Sequence, residues 1–175
     1  MISVGDKLAP LTLTNLDGET VQIPDPIQRV HLQFRRHAGC PICNTHLHSV
    51  TKRLNEIKSA GIREVVFFHS TAQLLRDYQE ALPYDVIPDP DRTVYREFGV
   101  EKSWKAILNP KVLSSVAKGF AQQSGKGTIG TATESHLGLP ADFLFDTDGT
   151  VLAAKYGEHG ADQWSVDELL ALANA

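Results

Sequence analysis

Arg35-Arg36-His37-Ala38-Gly39-Cys40-Pro41-Ile42-Cys43 lies between an alternating run, Val30-His31-Leu32-Gln33-Phe34, and a segment with apolar residues at helical spacing, Leu47, Val50, Leu54 and Ile57. The run predicts a strand and the spacing predicts one long helix, which Gly61 is placed to end. Pro41 suits the first helical position, where its missing N–H has no partner to lose. Cys40 is then the N-cap, with its sulfur facing the free N–H groups of Ile42 and Cys43. Those groups, the helix dipole and the nearby Arg35, Arg36 and His37 all favour thiolate over thiol, and the thiolate is the reactive species. Cys43 shares a helical stripe with Leu47 and Val50. The expected division is an exposed attacking Cys40 and a sheltered resolving Cys43.

Outward from this stretch the periodicity alternates between two and 3.6. Leu11–Thr14 and Thr20–Ile23 flank Asp17-Gly18, a hairpin signal at the N-terminal end. Val65–Phe68 reads as a strand buried on both faces, Thr71–Ala81 as a helix and Val86-Ile87 as a short strand. Thr93–Phe98 reads as a helix that Asp91 can cap. Phe143–Phe145 and Thr150–Ala154 flank Asp148-Gly149 as a second hairpin. Ser165–Ala173 is a closing helix with Ser165 and Glu168 in capping-box spacing. Residues 101–137 fit no clear pattern. They hold Trp104, an apolar helical stripe and a Gly/Ser/Thr-rich stretch from Ser124 to Thr133 that reads as a mobile loop. Alternating strands and helices predict an α/β fold, a central sheet with helices on both faces.

Composition narrows the function classes. Apolar residues make up 42% of the 175-residue chain, which suits one core, and 17 Lys+Arg against 21 Asp+Glu leave a net charge of −4. A generic nucleic-acid binder needs a basic field, so nucleic acid is not an expected partner. No apolar run approaches a membrane span, and Met1–Asp6 has no basic-then-apolar pattern, so a cytoplasmic protein is expected. Two cysteines cannot staple a scaffold. A close pair outside a secretory context points to redox chemistry or metal binding. Inert core cysteines and a Cys-Cys-His-His zinc site with His46 and His48 are the alternatives. On a regular helix Cys43 and His48 stand about 140° apart, so the zinc ligands do not converge, and both histidines are expected at the surface.

Four stretches carry a resemblance to the thioredoxin fold and, within it, to peroxiredoxin-like proteins of the alkyl hydroperoxide reductase/thiol-specific antioxidant (AhpC/TSA) group. They are Val4-Gly5-Asp6 through Val21, Cys40-Pro41-Ile42-Cys43, Asp89-Pro90-Asp91-Arg92 through Val100, and Leu139-Pro140-Ala141-Asp142 through Gly149. The resemblance implies one thioredoxin-like domain over 1–175. Its central mixed sheet is flanked by helices, with an N-terminal β-hairpin and residues 101–137 as an insertion before the last hairpin. It implies a thiol-dependent antioxidant oxidoreductase that reduces peroxides or disulfides through Cys40 and Cys43; Arg36, His37 and Pro140 are the candidate substrate-binding or thiolate-stabilising residues. Pro140 is expected to be cis. A thioredoxin-type protein or a small thiol is the implied reductant. No cofactor or metal is implied, and a homodimer is left open. The departures are specific. His37 and Gln33 stand where typical peroxiredoxins carry Thr or Ser and Pro, and the chain has no Arg after Arg96. The pattern resembles the divergent branch that keeps a Cys-x-x-Cys after an Arg-His pair. A disulfide oxidoreductase without peroxidase activity, or a redox-sensing or metal-binding interaction protein, are the competing readings.

Overall fold

The computed structural model describes residues 1–79, 81–100 and 138–174. The expectations for 101–137 lie outside the described residues. Strands β1 (Leu11–Thr14) and β2 (Thr20–Ile23) form the N-terminal hairpin. Five further strands, β3 (Arg29–Phe34), β4 (Ile62–Phe68), β5 (Asp85–Pro88), β6 (Ala141–Phe145) and β7 (Val151–Tyr156), make one sheet in the order β5-β4-β3-β6-β7. β3 and β4 are parallel, as are β4 and β5, while β6 runs antiparallel to both β3 and β7. The sheet is therefore mixed, and β3 lies at its centre. The helices are α1 (Pro41–Lys52), α2 (Leu54–Ser59), α3 (Ala72–Tyr78), α4 (Thr93–Glu97) and α5 (Val166–Ala173). Among the described residues no helix is long and apolar enough to cross a membrane.

Strand alternation separates two interiors. Val30, Leu32 and Phe34 of β3 point to an aromatic core with Phe67, Tyr95, Phe98, Phe143 and Phe145, closed by Val21 and Ile23 of the hairpin. Phe34 stacks on Phe67 at 5.0 Å and meets Tyr95 edge-on at 4.8 Å. Pairs of this kind add about 0.5–1.5 kcal/mol each beyond area burial. On the opposite face, apolar residues of α1, α2, α3 and α5 pack against the sheet.

That second face is charged at its centre. His31 Nδ1 lies 2.8 Å from Glu64, and its Nε2 lies 3.3 Å from Asp142. Arg35 donates to Asp142 and to Gln33, each at 2.6 Å. All five side chains are buried. Two cations face two anions, so the cluster is neutral as a whole, the condition under which buried charge is tolerated. Burial opposes the charge on His31, but Glu64 and then Asp142 overcome it and raise its pKa to about 9. Burial would raise Asp142, yet Arg35 and His31 hold its carboxyl well below the usual carboxylate range.

The structure departs from the sequence expectations at three local points. The long helix is two, because Arg53 leaves helical geometry (φ −110°, ψ 16°) and its N–H bonds back to Val50 and Thr51. Arg53 spans the break by pairing with Glu56 at 2.7 Å and Asp167 at 2.6 Å. Helix α3 ends at Tyr78, short of Ala81. Asp89, not Asp91, caps α4. Its carboxylate accepts from the N–H groups of Thr93 and Val94, both at 2.9 Å, because Arg92 takes a left-handed turn (φ 55°) that brings the helix start back over it. The capping box of α5 forms as read, with Ser165 and Glu168 bonded reciprocally.

A prediction follows from His31. Its folded pKa of about 9 lies above its ordinary 6.5, so its stabilisation is full below pH 6.5 and is lost as pH rises through 9. In urea titrations, the stability gap between wild type and His31→Gln should be about 3–5 kcal/mol near pH 6 and shrink by pH 9.5. A gap independent of pH would show that His31 is not charged in the folded state.

Candidate active site: a buried thiol pair beside an arginine

β3 ends at Phe34, and the next two side chains leave on opposite faces. Arg35 joins the charged cluster. Arg36 turns toward the aromatic face, where its Cγ packs near Gly138. The chain then bends through His37, Ala38 and Gly39. Gly39 has φ 68°, a left-handed conformation that a side chain would strain. The Ala38 N–H donates to Ser70 Oγ at 2.8 Å, and the His69 N–H to the Arg36 carbonyl at 3.2 Å, so the loop that follows β4 holds the loop that follows β3.

Cys40 is the N-cap of α1 and Pro41 its first helical residue, as read. The Cys40 sulfur accepts from the Cys43 N–H at 3.4 Å and from Arg36 Nη2 at 3.0 Å. Both cysteines are free thiols. The expected exposure of Cys40 is corrected: it is 0% exposed and Cys43 2%. The N-cap side chain folds back over the first helical turn, where Arg36, Ile42 and Ala161 close on it. Exposure therefore does not divide the pair into attacking and resolving members.

Electrostatics treats the two sulfurs as one unit. Burial pushes both thiols up. On Cys43 it is overcome by the hydrogen bond from Cys40, the Arg36 guanidinium, the Arg36 backbone N–H and His37, which leave it well below the ordinary thiol range. On Cys40, burial together with the hydrogen bond and the charge of Cys43 outweighs Arg36, leaving it well above that range. A shared proton belongs to the pair rather than to either residue. The pair thus loses its first proton unusually easily and keeps its second.

The remaining expected residues are placed as follows. His37 is buried, with Nδ1 2.9 Å from the Ala38 carbonyl and its ring 6.4 Å from that of His69. The expected cis Pro140 is corrected. Among the described residues Ile23–Pro24 is the cis peptide, so Leu139–Pro140 is trans. A trans bond lets the chain run extended into β6, a position proline tolerates at a strand start. Pro140 is instead fixed by Gly157, whose N–H donates to its carbonyl at 2.9 Å. A Cβ at Gly157 would lie 2.7 Å from the Pro140 ring. His46 is not the surface residue expected. It turns inward, with Nε2 3.1 Å from Arg35, and burial and that guanidinium hold its pKa well below 6.5. The Cys-Cys-His-His arrangement is therefore not assembled. Among the described residues no group of three or more His, Cys, Asp or Glu side chains is disposed to hold a metal ion. The sequence reading assigns no site role to His69, Ser70, Tyr95 or Ala161, all distant in sequence from the cysteines; Tyr95 lies in the Asp89–Val100 stretch, which carries the family resemblance but no site role.

Removing the Arg36 charge while keeping its length, as in Arg36→Met, should move the midpoint of thiolate absorbance at 240 nm up by about 1–3 pH units. An unmoved midpoint would mean that the guanidinium does not stabilise the pair.

Comparison with known proteins agrees with this architecture. The family model for AhpC/TSA antioxidant enzymes matches residues 49–159, beginning after Cys43, so the match rests on the scaffold and not on the cysteine pair. A search of the curated proteins returns no match. Among solved structures, the chain is similar to peroxidoxin BcpB from Mycobacterium tuberculosis, with a TM-score of 0.71 and 18% identity over 99% of this chain and 97% of that one. It is similar to the reduced 2-Cys peroxiredoxin of Plasmodium vivax, with a TM-score of 0.68 and 14% identity over 98% of this chain and 80% of that one. It is also similar to a structure described as a thiol:disulfide interchange protein DsbE from Chlorobium tepidum, with a TM-score of 0.62, 19% identity and 99% of each chain covered. At these identities the likeness is one of fold.

Proposed function

The chain belongs to the AhpC/TSA antioxidant enzyme family, and we propose that it is a thiol-dependent peroxidase in which Cys40 and Cys43 form the redox pair. The observation that carries the reading is the Arg36 guanidinium, 3.0 Å from the Cys40 sulfur and buried with it. An arginine there supplies what the missing late arginine and Thr would supply elsewhere in the family: charge for the thiolate and a donor for a peroxide oxygen. Arg36 Nε is buried and has no hydrogen-bond partner among the described residues. It is thus a spare donor on the group that already touches the sulfur. A substrate as small as hydrogen peroxide also needs the least opening to reach a buried pair.

With the pair's remaining proton on Cys43, the Cys40 thiolate attacks one peroxide oxygen and the O–O bond breaks. The leaving hydroxide (or alkoxide) takes a proton, and Cys40 is left as a sulfenic acid. The Cys43 sulfur then attacks Cys40, the S–O bond breaks, and water leaves as the disulfide forms. A dithiol protein of thioredoxin type, or two small thiols, returns the two electrons. Arg36 opposes the charge on the attacking sulfur and can hold the departing oxygen. His37, at the bend before Cys40, keeps the supporting role proposed for it, and Pro140 shapes the wall beside Gly157.

A second reading, thiol-disulfide exchange without peroxidase activity, draws on the Cys-Pro-Ile-Cys spacing. One experiment separates the two. Reduced protein is mixed with one equivalent of hydrogen peroxide and the loss of its two thiols is timed. The peroxidase reading expects loss far faster than for free cysteine, no fast loss in Cys40→Ser, and a sulfenic acid trapped by dimedone in Cys43→Ser. Loss no faster than for a free thiol, with rapid oxidation by a protein disulfide, would give the second reading. Full activity in Cys40→Ser would overturn both.

A further inference from the structure

The aromatic interior contains a buried hydroxyl that the chemistry above does not use. Tyr95 is fully buried. Its ring is held on three sides: Phe34 meets it edge-on at 4.8 Å, His69 at 5.9 Å, and the Arg92 guanidinium lies 5.0 Å from its centroid. These contacts would hold a phenylalanine equally well. The hydroxyl does something else. It donates to the Arg35 carbonyl at 2.5 Å, with the Phe67 carbonyl 3.0 Å away, at the point where β3 and β4 end. The Phe67 carbonyl already accepts the Arg35 N–H at 2.9 Å, so the Arg35 carbonyl is the group the hydroxyl serves most directly.

The Arg35 carbonyl and the Arg36 N–H are two ends of one rigid peptide plane. The side chain springing from Arg36 carries the guanidinium that meets the Cys40 sulfur at 3.0 Å, so fixing this peptide plane fixes where that side chain starts. We propose that Tyr95 is a positioning residue for the thiol pair, its hydroxyl fixing the Arg35–Arg36 peptide so that the Arg36 guanidinium is held on the Cys40 sulfur. The link joins α4, at residue 95, to the redox pair across the end of the sheet through a single peptide group. It rests on the reading of Cys40 and Cys43 as the reactive pair.

The test reads the nucleophilicity of the pair, which requires no turnover. Reduced wild type and Tyr95→Phe are alkylated with iodoacetamide across the pH range. The expected result is a midpoint raised by roughly half a pH unit, with the rate below the midpoint reduced about two- to fourfold and the high-pH plateau unchanged. An unchanged midpoint overturns the proposal, including the case in which looser packing speeds alkylation at every pH. Phe34→Leu loosens the ring's packing but keeps the hydroxyl, so it should leave the midpoint in place. A shift equal to that of Tyr95→Phe would assign the effect to packing and overturn the proposal. Replacing tyrosine globally by 3-fluorotyrosine keeps the fold's contacts and makes the hydroxyl a stronger donor, so the midpoint should fall; no fall overturns the proposal even if Tyr95→Phe does not fold. Peroxide consumption by the Cys40→Ser variant bears on the proposed function alone, so failure of that reading is seen separately.

Discussion

Arg35 and Arg36 are neighbours in sequence, and the pleat of the central strand sends their side chains to opposite faces. Much of the molecule is arranged around that separation. Arg35 is fully buried on the helical face and must be neutralised there, which Asp142 does at 2.6 Å on the adjacent strand. His31 and Glu64 complete a neutral quartet on three neighbouring strands. An unpaired guanidinium in that position would cost several kcal/mol. The pairing of β3 with β4 and β6 and the placement of α1 over the sheet therefore have to satisfy one charge. Arg36 is free to serve the other face, and it meets the cysteine sulfur there.

The two arginines also connect fold and chemistry through α1. His46 on α1 approaches Arg35 from above, and Cys43 lies one turn earlier on the same helix. The helix start is set from the other side by Gly39, by the Ser70 hydroxyl on the Ala38 N–H and by the His69 N–H on the Arg36 carbonyl. The cysteine pair thus sits at a junction of the β3 end, the β4 end and the α1 start. A thiol pair held this way has little freedom, which suits the proposed step in which two sulfurs must meet.

Burial of the pair changes how its reactivity has to be understood. Desolvation disfavours thiolate, and the helix N-terminus alone is a modest counterweight. The balance is restored by a guanidinium in contact and by hydrogen bonds to the pair, so the first ionisation is eased and the second is suppressed. Such a pair presents one thiolate and one thiol together, which is what the proposed first step requires.

The sequence by itself determined the parts whose cause is local. Alternation marked the strands, Asp17-Gly18 and Asp148-Gly149 marked the hairpins, Ser165 and Glu168 marked the start of the last helix, and Cys40-Pro41 marked the start of the first. Each of these signals lies within a few residues of the feature it produces. Family membership was legible from the order of such pieces along the chain. Only the tertiary structure decided the burial of Cys40, the inward turn of His46, the trans bond before Pro140 and the gathering of His69, Ser70, Tyr95 and Ala161 around the thiols. The same holds for the break at Arg53, which carries no Gly or Pro and is spanned by a pairing with Asp167, 114 residues away. These depend on which strand ends come together and which charge must be neutralised across the sheet. No spacing within one segment encodes that, because the partners belong to different segments and meet only when the sheet is assembled.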